Sequence, residues 1–553
     1  MYSRAMFAQQ LTPVGESLAL SALVALLPLV LLFVLLGGVR VAAHRAALIA
    51  LGLAIVVSVL VFRMPAVQAF SSAAQGALFG LFPILWIVIN ALWVYHMTVH
   101  TGHFDVLRRS FGRISDDPRI QGVIVAFCFG GLIEALAGFG APVAISSVML
   151  VALGFPPVRA AVVALVANTA PVAFGAMGVP VITLAKVTGL PLGPISATVG
   201  RQTPLLALFV PLALVVLIDG RRGLRQTWFP ALLSGVAFAL GQFLTSNYFS
   251  TELTDIVASL SGALVLIALP RKPVDPQVRR DVFGDAAESE AARARVAQES
   301  LADIKNDAPS EVMRAYAPYA VIIVIFAVAQ IPDVKKLLAG ANVSFHWPLL
   351  DVRNASGKPV SGNTFSMALV ATGGTLVALS GVVTAAILRI SPGKALGEWI
   401  STVRQLLFPI LTVTSVLALA SVMNLSGQTT TIGSWIAGTG PALAFLAPIL
   451  GWFGVAVSGS DTSSNALFGA LQATAATQAG LSPILLSAAN SSGGVLGKMI
   501  SPQNLTIACA ASKMLGQEGL LLRKVLPWSL GLLAIMCIIV VLQSTSVLGW
   551  MLP

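Results

Sequence analysis

Residues 129–185 read FGGLIEALAGFGAPVAISSVMLVALGFPPVRAAVVALVANTAPVAFGAMGVPVITLA, an apolar stretch that differs from an ordinary membrane helix in two ways. Glycine and proline interrupt it repeatedly, and it holds one carboxylate, Glu134, in apolar surroundings. A charged side chain at the centre of a membrane helix costs about 2.5–3.5 kcal/mol on insertion scales. Irregular backbone at membrane depth persists only where it is buried in protein or lines a wet cavity. The stretch is therefore predicted to line a functional site.

Part of this stretch recurs in the second half of the chain. NTAPVAFGAMGVP begins at Asn168 and NSSGGVLGKMISP begins at Asn490, and both have Gly seven, Met nine and Pro twelve positions after the Asn. The pentapeptide LFPIL also occurs twice, at residues 81–85 and 407–411, in the same order and at nearly the same offset. Two ordered matches at one offset indicate an internal duplication.

The composition is that of a helical membrane protein with many spans. The chain has 553 residues, of which 57% are hydrophobic and 10% are charged, and its mean hydropathy is +0.89. Soluble domains carry about 25% charged residues. The net charge of +11 would suit nucleic acid in a soluble protein, but in a membrane protein excess Lys and Arg marks cytoplasmic loops. We therefore predict that membrane lipid surrounds the protein, and we expect no nucleic-acid partner.

Hydropathy predicts an all-α protein with about twelve transmembrane helices plus two re-entrant hairpins. An odd number of crossings then separates the two LFPIL copies, so the repeats have opposite orientations, as in many secondary transporters. Separate spans are expected near 195–218, 227–247 and 364–388. The predicted divisions are N-terminal transmembrane helices at 1–63; a first repeat at 64–269, with a hairpin near 120–153 and a broken helix near 157–188; a cytoplasmic polar loop at 270–315, with a surface helix around 286–304; a second repeat at 316–515, with a hairpin near 441–479 and a broken helix near 484–511; and a C-terminal transmembrane helix at 516–553.

Two acids, Glu134 and Asp461, fall within the predicted hairpins at near-equivalent points of the repeat. Burial favours the protonated form of a carboxyl group, so each could take up a proton that is coupled to transport, or bind a cation. The alternative is that each is part of a structural ion pair or lies at a helix end. We predict proton coupling at both residues.

Small polar side chains precede the helix breakers in both copies, and they suit a small carboxylate. Exposed backbone N–H groups at the ends of broken helices attract anions, and amide and hydroxyl groups add neutral donors. A tight helix–helix contact is the alternative explanation. A fixed positive charge could come from Lys498, which lies inside the repeated motif, or from Lys186 or Arg201. The predicted substrate-binding residues are Gly138, Gly140, Asn168, Thr169, Gly175, Ser460, Asn490, Ser491, Ser492 and Lys498.

Other classes of site receive little support. GGVLGKMIS fails as a phosphate-binding loop, since Ser492 stands at the first Gly position and Met499 replaces the Ser or Thr. The pair His96 and His100 has helical spacing but lacks an adjacent acidic or cysteine partner. We therefore expect neither an enzyme nor a metal site, and no cofactor.

The segments GLIEALAGFGAPVAI, VALVANTAPVAFGAMGVPVITLA, GSDTSSNALFGALQ and SSGGVLGKMISPQNLTIA strongly resemble the lactate permease family, which includes lactate and glycolate permeases. The resemblance covers most of residues 70–515. It implies proton-coupled symport of 2-hydroxymonocarboxylates across the bacterial inner membrane, with lactate or glycolate and protons as partners. It also implies the elevator-type architecture of a wider ion-transporter superfamily. In that superfamily Ser-Asn-Thr motifs lie at the hairpin tips, whereas Asn168–Thr169 and Asn490–Ser491 follow the hairpins here.

The sequence therefore predicts a proton-coupled symporter for L-lactate and related acids such as D-lactate and glycolate. Glu134, with Asp461, would take the proton, and the substrate would lie near Asn168, Asn490 and Lys498. The alternatives are a sodium-coupled carboxylate symporter of the wider superfamily and an anion channel. Whether the protein is a homo-oligomer is left open.

Overall fold

The computed structural model describes residues 6–112, 114–138, 140–270, 274–283, 307–355 and 357–553. The surface helix expected around 286–304 lies outside these described residues. Most of the described chain is helical, as the apolar composition predicts, with four short strands.

Helices of the first half of the chain follow one another with short connections. α10 begins after a break and a 3₁₀ turn, Val172–Phe174, and α12 has non-helical backbone at Asp219 and Gly220. Their bounds are α1 Leu18–Phe33, α2 Ala43–Leu60, α3 Ala66–Phe79, α4 Trp86–His100, α5 His103–Gly112, α6 Pro118–Val123, α7 Gly130–Leu136, α8 Ala141–Ala152, α9 Pro157–Ala167, α10 Gly175–Thr188, α11 Leu192–Ala207, α12 Val210–Tyr248, α13 Thr254–Ala268 and α14 Pro276–Phe283. Three π-helical turns, Val34–Gly38, Gly80–Leu85 and Ile124–Phe129, connect or extend them.

The second half of the chain also contains a long helix, two packed helical arms and an interrupted helix. A 3₁₀ turn, Lys498–Ile500, occupies its interruption. The bounds are α15 Pro309–Ala329, α16 Pro332–Ala339, α17 Gly373–Ile387, α18 Pro392–Gln405, α19 Leu407–Ser426, α20 Gln428–Ala437, α21 Leu443–Ser458, α22 Asp461–Gln478, α23 Pro483–Gly497, α24 Pro502–Ala511 and α25 Glu518–Gln543.

Two pairs of strands lie outside the helical body. β1 (Phe7–Ala8) pairs in parallel with β3 (Val352–Arg353), and β2 (Asn342–His346) pairs antiparallel with β4 (Thr364–Ala368). The predicted span near 364–388 is therefore wrong at its start, since the helix begins only at α17. Along β4, Phe365 is buried between exposed Thr364 and Ser366, an alternation with the period of a strand.

Nine helical stretches among the described residues are long and apolar enough to cross a membrane, or ten if the bent pair Pro157–Ala167 and Val172–Thr188 counts as one span. Twelve were expected. α13 and α17 are apolar but each has only 15 residues, fewer than the roughly 20 of a typical span. The spans expected near 195–218 and 227–247 both fall within the stretch Leu192–Tyr248, whose backbone is non-helical at Asp219 and Gly220, between the two. The first arms of both predicted hairpins are long enough to count as spans themselves, because each has 19 residues.

Helices of the two halves pack against each other in the buried interior of the molecule. The stretch Pro118–Leu136 is wholly buried. By contrast, only 33% of the residues in an apolar segment of Leu18–Gly38 are buried. α10 packs against α22, α11 against α23, and α8 against α24, so each contact joins one half of the chain to the other. The two interrupted helices and both buried acids lie at this junction.

Candidate functional site

The first interruption follows α9, which ends just before Asn168. The helix axis bends by 63° across it, and Ala176, Met177 and Gly178 have left-handed backbone, with φ of 45°, 62° and 73°. Pro171 lacks the N–H group that a continuous helix needs. Left-handed conformation costs roughly 1–2 kcal/mol for each residue other than glycine. Ala176 and Met177 therefore hold strain at this point.

The second interruption follows α23 and is shorter. After Gly497 the chain makes the 3₁₀ turn that contains Lys498, and α24 begins at Pro502. Ser501 caps α24, since its side chain accepts a hydrogen bond from the N–H of Asn504. Lys498 therefore lies at the break in the helix, and its side chain points into the junction between the two halves of the chain.

Lys498 forms a buried ion pair with Glu134 across the junction. Lys498 Nζ lies 2.7 Å from Glu134 Oε1, and the two side chains are only 8% and 3% exposed. The other carboxylate oxygen, Oε2, accepts a hydrogen bond of 2.9 Å from Asn168 Nδ2. Glu134 lies near the end of α7, so the pair joins a hairpin arm of the first half to the helix break of the second. This Glu134 cluster is made of Glu134, Asn168 and Lys498.

Two predicted glycines leave room for the Glu134 carboxylate. A Cβ atom added at Gly175 would lie 2.6 Å from Glu134 Oε1, and one at Gly138 would lie 3.8 Å from the same atom. Gly138 also has left-handed backbone, with φ of 48°. Close packing against the carboxylate thus explains glycine at 175, and backbone conformation explains it at 138.

Gly140, like Gly138, lies just before the start of α8, but it packs against the second half of the chain. Its φ is 85°, and a Cβ atom there would overlap Ile507 of α24 and lie 3.2 Å from Asn504 Oδ1. Beside this contact, a cavity of about 430 Å³ lies between α8, α24 and α5. It is lined mainly by apolar side chains, with Arg108 at its edge. Ile507 therefore both lines this cavity and packs against Gly140.

The second acid, Asp461, lies at the first position of α22 and is held only by neutral donors. Its Oδ2 accepts hydrogen bonds from Ser491 Oγ at 2.6 Å and Asn465 Nδ2 at 3.2 Å. Its Oδ1 is buried and has no hydrogen-bond partner among the described residues. No lysine or arginine of the described chain pairs with it directly, although Lys498 is close enough to interact electrostatically.

Asp461, Asn465, Gln472, Asn490 and Ser491 form a second group of hydrogen-bonded side chains, the Asp461 cluster. Its amides connect it to the first interruption. Asn490 Nδ2 donates to Asn465 Oδ1 at 2.8 Å, and Gln472 Nε2 donates to Asn490 Oδ1 at 3.0 Å. Asn465 Nδ2 also donates to the carbonyl of Pro180 in α10, at 3.1 Å. The side-chain hydrogen bonds of Asn490 therefore belong to this second cluster, whereas Asn168 and Lys498 both bond to Glu134.

The remaining predicted residues have varied surroundings. Ser460 caps α22 by accepting from the N–H of Ser463. The hydroxyls of Thr169 and Ser492 are buried without a hydrogen-bond partner in the described chain. Arg201, an alternative source of positive charge, is engaged elsewhere, with Asn247 Oδ1 at 2.8 Å and the carbonyl of Met551 at 2.7 Å.

Sequence reasoning missed a third buried acid, Asp255 of α13, which is fully buried. Gln242 Nε2 donates to Asp255 Oδ1 at 3.3 Å and to the carbonyl of Ala170, inside the first interruption, at 3.2 Å. Asp255 also lies within electrostatic range of Glu134 and Lys498. It could have been found by the rule that singled out Glu134, because it is an acid within an apolar segment.

The Glu134 cluster offers one positive charge to one carboxylate. A buried cation cannot be left without a counter-ion except at a cost of several kcal/mol. Another carboxylate could replace that of Glu134 at Lys498, provided that Glu134 lost its own charge. The arrangement therefore suits exchange of an internal carboxylate for that of a small organic acid.

Comparison with known proteins shows which family the chain matches. The family model described as L-lactate permease matches residues 21–547. The chain is 41% identical to the L-lactate permease of Bacillus subtilis (strain 168), over 99% of both chains, and 41% identical to the glycolate permease GlcA of Escherichia coli (strain K12), over 97% of this chain and 98% of that protein. Among solved structures, the Alcanivorax borkumensis YdaH transporter matches 96% of this chain and 100% of its own with a TM-score of 0.43 and 15% identity, which is too distant a similarity to argue from.

Proposed function

The chain belongs to the L-lactate permease family, and we propose that it is a secondary transporter that carries L-lactate, D-lactate and glycolate together with a proton across the bacterial inner membrane. The names of its relatives support the substrate class. The observation that carries the proton coupling is the buried ion pair between Glu134 and Lys498.

The number of charges in the buried site determines the coupling that we expect. Lys498 and Glu134 together are neutral, so a lactate anion that entered alone would leave one uncompensated negative charge out of water. Such a charge costs several kcal/mol. One proton on Glu134 removes the excess charge, and the substrate carboxylate then pairs with Lys498. This predicts one proton for each anion and transport that is electrically neutral.

The same competition couples the two species. While Glu134 is charged, its carboxylate occupies Lys498 and the amide of Asn168, and a substrate anion finds no free cation. Protonation weakens both contacts, because a neutral acid is a poorer acceptor than a carboxylate. Anion binding therefore requires the proton, and release of the proton on the other side expels the anion.

Asp461 is proposed as a second site that influences protonation through its interaction with Lys498. The two interrupted helices, one in each half, would form the moving contacts of an inverted-repeat, elevator-type transporter. The close contact of Gly140 with Ile507 would then be one of the contacts that separate when the site opens.

Uptake into proteoliposomes tests the function directly. In sodium-free buffer, an inward proton gradient should drive accumulation of labelled L-lactate, D-lactate and glycolate, and clamping the membrane potential at different values should leave the initial rate unchanged. Accumulation that follows a sodium gradient and ignores the pH gradient would favour a sodium-coupled symporter. Flux without accumulation under any gradient would favour an anion channel.

A further inference from the structure

The amide of Asn168 has one half engaged and the other half free. Its Nδ2 donates to Glu134 Oε2, and since a carboxylate can only accept, this bond fixes which way the amide faces. Its Oδ1 is buried and has no hydrogen-bond partner among the described residues, and the residue as a whole is 4% exposed. An acceptor of this kind normally finds a donor, because leaving it unpaired costs about 1–3 kcal/mol.

The Asn168 amide lies close to the place where Lys498 would hold a substrate anion. The Glu134 carboxylate lies between Lys498 Nζ, at 2.7 Å, and Asn168 Nδ2, at 2.9 Å. A substrate carboxylate that takes the place of the Glu134 carboxylate would face the same two donors. Its second carbon would then lie next to the amide, with the free Oδ1 beside Nδ2 on the same planar group.

We propose that Asn168 recognises the 2-hydroxyl group of the substrate, with Nδ2 donating to the carboxylate and Oδ1 accepting from the hydroxyl. This inference rests on the proposed function. A 2-hydroxycarboxylate presents an acceptor and a donor side by side, which is the complement of a primary amide. A 2-ketocarboxylate presents two acceptors, and an unsubstituted acid presents only one, so both leave Oδ1 unpaired or repelled.

The corresponding residue of the second repeat cannot have this role. Asn490 Oδ1 accepts from Gln472, and its Nδ2 donates to Asn465, so both halves of that amide are engaged within the protein. The two asparagines occupy the same place in the repeated motif, yet only Asn168 keeps an acceptor available. Recognition of the hydroxyl is thus assigned to one repeat.

Competition experiments in proteoliposomes test the assignment. Uptake of labelled L-lactate by the wild-type protein is inhibited with unlabelled glycolate, propionate or pyruvate. Glycolate should inhibit at concentrations at least about tenfold lower than propionate or pyruvate, the factor that a difference of about 1.4 kcal/mol produces. In Asn168→Ala this ratio should fall to about twofold or less, whereas in Asn490→Ala uptake should fall without any change in the ratio.

Thr169→Val is the second control, since the neighbouring hydroxyl is also buried and unpartnered; it should keep the wild-type ratio. A wild-type protein that does not distinguish glycolate from propionate, an Asn168→Ala protein that keeps its preference, or a loss of preference in Thr169→Val instead would each overturn the assignment. If Asn168→Ala does not reach the membrane, Asn168→Ser replaces it with the same expected ratio. Failure of wild-type lactate uptake would contradict the proposed function, whereas normal uptake with an unchanged ratio would contradict only the role of Asn168.

Discussion

Glu134 and Asp461 stand at near-equivalent points of the two halves, next to the bend between two packed helical arms, yet their surroundings differ. Glu134 has a cation, Lys498, at 2.7 Å. Asp461 has only a serine hydroxyl and an amide as donors, and one of its oxygens has no partner in the described chain. A buried carboxylate without a cation is most stable as the neutral acid. Of these two acids, Glu134 is held by a cation, whereas Asp461 is held by neutral donors.

Removing the cation should have the largest effect. Lys498→Met leaves the Glu134 charge unpaired in the interior, and breaking a buried ion pair from one side costs about 3–5 kcal/mol. We expect a large fall in the thermal midpoint of the purified protein and no measurable lactate uptake or exchange. The double variant Glu134→Gln with Lys498→Met should regain most of the stability but no transport, and transport by the double variant would show that Lys498 does not bind the substrate.

Neutralising Glu134 should separate coupling from binding. Glu134→Gln keeps the shape of the side chain but mimics its protonated form, so Lys498 stays available to the anion. Exchange of external for internal lactate should continue, while accumulation driven by a pH gradient should be lost. If Glu134 takes the transported proton, lactate binding by the variant should depend less on pH than binding by the wild-type protein. Wild-type accumulation by Glu134→Gln would remove Glu134 from the mechanism.

Two matched variants, each of which adds one methyl group beside one of the acids, compare the surroundings of Glu134 and Asp461. In Gly175→Ala the new Cβ lies 2.6 Å from Glu134 Oε1, and in Gly494→Ala it overlaps Asp461 Oδ1. Overpacking of this kind costs about 1–3 kcal/mol, so both variants should lose some stability. Only Gly175→Ala should also reduce proton-driven accumulation relative to exchange. Gly193→Ala, where the added Cβ meets no atom within 4 Å, is the neutral control.

The smallest effect is expected from Asp461→Asn. An amide oxygen can still accept from Ser491, so the variant keeps most of the hydrogen bonding of this position but cannot carry a negative charge. It should shift the pH at which uptake is half-maximal, through the lost interaction with Lys498, and still accumulate lactate to more than about half of the wild-type level. Complete loss of coupling would mean that Asp461 is as much a proton carrier as Glu134, as the sequence pattern alone suggested.

Local pattern was enough to locate the parts of the site. Glycine, proline and lone acids in apolar stretches identified both interruptions and the side chains of Glu134, Asn168 and Lys498. Their mutual contacts were not predictable, because an ion pair between residues 134 and 498 depends on how two halves of the chain interleave. The same limitation applies to Asn490, whose hydrogen-bond partners are Asn465 and Gln472 rather than Glu134 or Lys498.

Hydropathy was less reliable for counting spans than for finding apolar segments. It merges a strand such as β4 with the helix that follows, and it cannot see that α13 and α17 are short. Asp255 was missed for a different reason. Its segment has no repeated motif to draw attention to it, although an acid in an apolar helix carries the same cost there as at Glu134.

The 364 residues that separate the two members of the ion pair also bear on how the protein is made. Ribosomes add about 5–20 residues per second, so Glu134 leaves the ribosome roughly 20–70 s before Lys498 exists. Throughout that interval the nascent chain must hold an acid in or near the bilayer with no counter-ion. Early intermediates should therefore insert more readily when position 134 is glutamine, and the finished site can assemble only late in synthesis, after the second interrupted helix has entered the membrane.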